Sequence, residues 1–185
     1  MEYIGIFIDG GYLQKIAFQM SPRIRIDVAR LVQWIACDLA VRRVYYYDCL
    51  PYQSPEPTCE ERERVSKKQK FFNAIERLDR CEVRLGKLEK RGEDESGRPM
   101  FDQKGVDLRM GLDFVFASLK QRIDYAALVT GDSDLCPAVE AAKNEGIITR
   151  LVHGPFGTYH NQLWGIVDER REITPAVLGA LELTR

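Results

Sequence analysis

The sequence predicts an α/β fold in which a mainly parallel central sheet carries helices on both faces. Two observations predict it. Near-continuous apolar runs of strand length recur along the 185-residue chain, and amphipathic stretches of helical period lie between them. A run buried on both faces is the mark of a strand inside a parallel sheet, because crossover helices cover both sides.

Taken in order, Tyr3-Ile4-Gly5-Ile6-Phe7-Ile8 is the first such run and stops at Asp9-Gly10-Gly11. Residues 44–47, 126–129 and 147–152 are three more. Asp27 is a good N-cap for a helix over 28–39, and 60–78 reads as a long, charged amphipathic helix. Over 106–119, Leu108, Leu112, Val115 and Leu119 fall on one stripe. A helix over 135–144 ends before Gly146, a C-cap signal. Neither an internal repeat nor a linker interrupts the pattern, so 1–185 reads as a single domain.

Residues 80–104 break the alternation. Two extended arms, 82–90 and 98–104, flank Glu93-Asp94-Glu95-Ser96-Gly97, which predicts a hairpin or flap standing off the sheet. Arg80, Arg84, Lys87, Lys90, Arg91, Arg98 and Lys104 make the segment cationic. A solvated loop is the plain reading, and a flap that touches phosphate is the functional one.

Lys and Arg number 27 against 28 Asp and Glu, for a formal charge of −1. That excludes a polycation binding nucleic acid by bulk charge and leaves room for a local basic face. No apolar run approaches the ~20 residues of a membrane span, and Met1 opens a strand-like segment without a charged leader. Five cysteines, an odd number without a C-x-x-C pair, argue against a disulfide framework or structural zinc and for a reducing cytoplasm.

The carboxylates carry the chemistry. In an open parallel sheet, ligands sit outside the carboxyl ends of the strands, where strand order reverses. Asp9 follows the first strand, and Asp132 and Asp134 follow the 126–129 strand in Thr130-Gly131-Asp132-Ser133-Asp134. Asp107 opens a helix after Lys104-Gly105-Val106. Asp113 lies on the same helix, rotated about 120° from Asp107. An Asp taken singly is a common helix cap or turn residue, but four at one sheet edge repel one another unless a cation neutralises them. Oxygen donors in that number suit Mg²⁺ or Mn²⁺, which assist phosphodiester hydrolysis.

Other chemistries fit less well. A haloacid-dehalogenase-type phosphatase needs Asp at both 9 and 11, and position 11 is Gly. A receiver domain needs an acidic pair after its first strand, which is absent here. Gly10-Gly11 does not match the dinucleotide-loop spacing. Cys136 reads as a buried structural thiol and His160 as a surface histidine.

Phe7-Ile8-Asp9-Gly10-Gly11, Lys104-Gly105-Val106-Asp107 with Asp113, and Val129-Thr130-Gly131-Asp132-Ser133-Asp134 with Pro137 and Gly146 run in order through 3–168. In this the chain resembles the NYN domain family of PIN-like nucleases. The resemblance implies a PIN-like three-layer α/β/α sandwich and a metal-dependent endoribonuclease. Asp9, Asp107 and Asp132 fall on the family's core acidic positions, while Asp134 and Asp113 match positions that are usually acidic. Many members have Asn at position 12, where this chain has Tyr12.

The expected function is therefore a Mg²⁺- or Mn²⁺-dependent endoribonuclease acting on single-stranded RNA. Asp9, Asp107, Asp132 and Asp134 would hold the metal, with Asp113 a further candidate. Lys104, Arg84, Lys87, Lys90 and Arg91 are the expected substrate-binding cations. Lys67 and Lys68, on the long helix, read as solvated. The alternatives are a non-cleaving RNA- or protein-binding module and a DNA-directed nuclease. A homodimer is a further expectation, built on Tyr45-Tyr46-Tyr47, Trp164, Ile166, Val167 and the apolar stretch 175–183.

Overall fold

The computed structural model describes residues 1–93, 99–120 and 122–184, and within these the side chains of Lys90, Glu93, Pro99, Asp102 and Gln103 lie outside the description. The strands are β1 (Tyr3–Asp9), β2 (Ala40–Cys49), β3 (Cys81–Glu93), β4 (Pro99–Lys104), β5 (Tyr125–Val129), β6 (Ile148–His153) and β7 (Glu169–Glu172). They form one seven-stranded sheet in the order β4-β3-β2-β1-β5-β6-β7. All neighbours are parallel except β3 and β4. From β1 the chain builds outward first through β2 and β3, then through β5, β6 and β7. Strand order thus reverses between β1 and β5, where an α/β sheet opens a crevice at its carboxyl edge.

β1 is central and buried along Ile4–Ile8, and its pleat divides the core. Ile4, Ile6 and Ile8 face α1 (Gly10–Met20), α2 (Val28–Ala36) and the Phe72–Ile75 face of α3 (Cys59–Glu76), joined by Leu178 of α7 (Pro175–Ala180). Phe7 faces α4 (Val106–Leu119), α5 (Cys136–Asn144) and α6 (Asn161–Ile166). The result is the expected three-layer sandwich. Asp27 caps α2 by accepting the N–H groups of Ala29 and Arg30, as its position predicts. None of the described helices is long and apolar enough to cross a membrane.

Three expectations about packing change. The hairpin is present, but it is rooted in the sheet. Residues 81–86 of β3 pair in parallel with β2, and only the remainder pairs with β4. Cys81, Val83 and Leu85 pack against the core, which makes this half of the arm a sheet strand. The turn residues 94–97, and Arg98 after them, lie outside the described residues.

On α4 the buried face is Val106, Met110, Phe114 and Ser118, while Leu108 is 70% exposed. The helix is apolar on two sides, so periodicity alone does not choose between them. The stretch 175–183 packs on its own chain: Leu178 and Leu181 are buried and Ile26 bridges Glu182. Tyr46, Tyr47 and Val167 are likewise core residues.

Candidate active site

Asp9 ends β1 and caps α1, its Oδ1 accepting the Tyr12 N–H at 2.9 Å. Gly10 lets the helix begin hard against β2, because a Cβ there would lie 2.5 Å from the Tyr46 ring and 2.6 Å from Asp48 Oδ2. Burial raises the Asp9 pKa to about 6. The Tyr12 N–H opposes that rise, and the charges of Asp107 and Asp48 add to it.

Asp107 lies in the first turn of α4, two residues after the Gly105 N-cap. Burial, then the charges of Asp132 and Asp134, holds its carboxyl above the ordinary range. Asp132 caps a short 3-10 turn, Ser133–Leu135, and its Oδ1 accepts the Asp134 N–H at 2.9 Å. Gly131 permits this loop. A Cβ there would meet the Thr158 carbonyl oxygen at 2.4 Å, a backbone atom that cannot step aside. The Gly131 carbonyl in turn accepts the His160 N–H at 2.9 Å.

Asp9, Asp107, Asp132 and Asp134 thus share one electrostatic neighbourhood beside the reversal between β1 and β5. Sequence reasoning passed over a fifth member, Asp48 at the carboxyl end of β2, which is only 4% exposed. It binds Lys68 Nζ at 2.7 Å, Gln14 Nε2 at 3.1 Å and the Cys49 N–H at 2.7 Å. Asp48 follows an apolar run as Asp9 does, but apolar residues resume at Cys49 and Leu50, so no strand end marks it. Lys68, read as solvated, is in fact largely withdrawn from solvent.

Asp113 stands apart from the group. It accepts the Tyr47 hydroxyl at 2.9 Å and pairs with Arg84, whose Nε also lies 3.0 Å from Glu82. Burial, reinforced by the Asp113 charge, keeps the Tyr47 hydroxyl protonated far above its ordinary range. Arg84 is therefore tied into the sheet, with its guanidinium 4.5 Å from the centre of the Tyr45 ring. Lys104 and Lys87 are exposed and share Glu89, at 2.6 Å and 3.0 Å. Their hydrogen bonds, and then their charges, lower the Glu89 pKa to about 2. Arg91 is exposed on β3, and the Lys90 side chain lies outside the described residues.

Tyr12 serves the scaffold. Its hydroxyl accepts the Gly154 N–H at 3.0 Å and lies 3.2 Å from Thr158 Oγ1, joining α1 to the loop beneath Gly131. His160 is exposed and Cys136 buried, as the sequence predicts, and His160 also caps α6 through Nδ1.

The donor set is made of carboxylates, the type a hard divalent cation prefers, and two of them carry raised pKa values that a cation would relieve. Among the described residues, no three His, Cys, Asp or Glu side chains are close enough together to hold one ion. The fit is one of donor chemistry and shared edge.

A family model for the NYN domain matches residues 3–158, the stretch that contains every one of these carboxylates. The chain belongs to the NYN domain family. NYN domains are nuclease-like, generally act on RNA, and with other PIN-like nucleases usually use divalent metal ions. This NYN domain is similar in fold to a crystal structure of a protein of unknown function from Vibrio parahaemolyticus RIMD 2210633. The TM-score is 0.69 at 18% sequence identity, covering 94% of this chain and 93% of that one. At that identity the likeness concerns the fold alone. No curated protein matches the chain.

Proposed function

We propose that this NYN domain, acting as one catalytic unit over 1–185 in the cytoplasm, is a metal-dependent endoribonuclease that hydrolyses phosphodiester bonds of single-stranded RNA. The observation that supports this reading is the gathering of Asp9, Asp107, Asp132 and Asp134 beside the strand-order reversal, with Asp9 and Asp107 both held above the ordinary carboxyl range. Crowded carboxylates are costly unless a cation neutralises them.

Asp9, Asp107 and Asp132 would hold Mg²⁺ or Mn²⁺, with Asp134 beside them. When bound, the ion supplies Lewis acidity toward phosphate oxygens and lowers the pKa of water. The chain's own groups do the rest. The Tyr12 and Asp134 N–H groups each fix one carboxylate oxygen, which sets the direction of the other. Lys104 and Lys87, exposed and joined through Glu89, would supply cations for the RNA backbone, with Lys90 and Arg91 expected from the sequence alone.

The test is to incubate purified protein with end-labelled single-stranded RNA or DNA, in Mn²⁺, Mg²⁺ or EDTA. The reading expects internal cuts in RNA with either metal and none in EDTA. Equal cutting of DNA reassigns the substrate, and RNA binding without cutting in any metal makes the domain a binding module.

A further inference from the structure

A groove of about 530 Å³ opens beside the acidic edge, between α1 and α3. Leu13, Ala17, Ile24 and Phe71 line its apolar floor, and Phe18, 64% exposed, stands in its wall. Four cations, Arg25, Arg64, Lys67 and Lys68, also line it, and no carboxylate does. Two of the lining side chains, Gln14 and Lys68, are the ones that hold Asp48. Asp48 Oδ2 lies 2.6 Å from where a Cβ on Gly10 would stand, and Gly10 directly follows Asp9, so this end of the groove adjoins the candidate active site. Beyond Phe71 a second depression continues toward Leu78, where Lys70 adds a cation and Asp27, the α2 cap, a carboxylate.

The cations are not equally available. Lys68 is engaged by Asp48, and Lys67 pairs with Glu63 at 2.7 Å on the helix surface. Arg25 and Arg64 are exposed; neither is in a close ion pair among the described residues, although the Arg64 charge is felt by Glu61. An apolar floor, an exposed ring and cations without carboxylates suit a ligand with flat apolar faces along an anionic backbone. Single-stranded nucleic acid combines the two, since every base offers a face for stacking and every linkage a charge. An acidic amphipathic peptide would meet the same charges but has no reason to end at the partners of Asp48. A strand crossing the acidic edge does.

We propose that this groove binds the single-stranded RNA that flanks the scissile bond, with a base stacked on Phe18 and phosphates on Arg25 and Arg64. The proposal rests on the nuclease reading of the acidic edge.

The test is fluorescence anisotropy of a fluorescein-labelled single-stranded RNA of about 12 nucleotides, within the span of single-strand binding sites. EDTA prevents cutting and removes any metal contribution, so the groove is read by itself. Phe18→Leu keeps apolar bulk and loses the ring, and should weaken binding about 5- to 150-fold, the range for one base–aromatic stack. Phe18→Trp should retain affinity. Arg25→Ala/Arg64→Ala should flatten the salt dependence by about 0.7 in log–log slope per lost phosphate contact. All three sites are exposed, and circular dichroism checks the fold of each variant.

Wild-type protein that binds and cuts RNA, with the variants unchanged in affinity and slope, overturns the groove and leaves the nuclease reading intact. Wild-type protein that neither binds nor cuts RNA overturns the nuclease reading and the groove with it. A change of sedimenting mass in Phe18→Leu, with RNA affinity intact, assigns the face to a second copy of the chain and also overturns the proposal. Tighter binding of an acidic helical peptide than of RNA does the same for a protein partner.

Discussion

Lys68 Nζ lies 2.7 Å from Asp48 Oδ2, and the two side chains are 18% and 5% exposed. The pair neutralises the one site carboxylate that is almost fully withdrawn from water, and it does so from a helix 20 residues further along the chain. Removing one member of a buried pair leaves the other charge uncompensated, which costs far more than the pair itself contributes. Lys68→Met should therefore destabilise the fold by about 3 kcal/mol in urea unfolding at neutral pH. Asp48→Asn/Lys68→Met should recover most of that loss. A single-variant loss under about 1 kcal/mol would show that Asp48 is hydrated and does not depend on Lys68.

The Asp9 carboxyl makes stability depend on pH. Its pKa rises from 3.8 to about 6 on folding, so between those values the folded state binds the proton more tightly than the unfolded chain. This stabilising contribution is fully present below about pH 4 and is lost as pH rises through about 6. The shift corresponds to about 2–3 kcal/mol of protonation-linked stability. Asp9→Asn removes the charge and keeps an N-cap of equal quality. Thermal unfolding at pH 5 and pH 7.5, without divalent ions, should show a smaller pH difference in Asp9→Asn than in wild type. Equal differences in the two proteins would place the Asp9 pKa at its ordinary value.

Asp113 and Arg84 belong to the scaffold in this account. Asp113→Ala strips the acceptor from the Tyr47 hydroxyl and the partner from Arg84. It should cost about 2 kcal/mol of stability, the order expected when a part-buried donor loses its partner. RNA cleavage measured well below the unfolding transition should persist. Loss of cleavage in a folded Asp113→Ala protein would return Asp113 to the metal-binding group.

Much of this was legible in the sequence, for physical reasons that vary by element. β1 and β5 announce themselves because strands covered on both faces need continuous apolar runs, and Asp9 and Asp132 follow from where those runs end. Asp48 was hidden because Tyr45-Tyr46-Tyr47 continues through it into Cys49 and Leu50, so the strand has no visible end. Its partner Lys68 could not be found by spacing, since the topology alone brings α3 to β2. β7 is Glu169-Arg170-Arg171-Glu172, which has no apolar alternation at all. It pairs as an edge strand on β6, aided by the 2.6 Å contact of Arg150 with Glu169. On α4 both candidate faces are apolar, and the choice between them is made by Phe7 and Tyr47 of the sheet it covers.

Asp9, Asp107 and Asp132 are proposed to act together through one or two divalent cations at the acidic edge. The most direct test compares wild type, Asp107→Asn and Asp132→Asn for cleavage of single-stranded RNA in Mn²⁺, with unfolding curves for each taken in EDTA. Both variants should lose cleavage while remaining folded, and Asp107→Asn should be at least as stable as wild type because a crowded, half-buried charge is gone. Cleavage that persists in either folded variant, or in EDTA, would contradict the account.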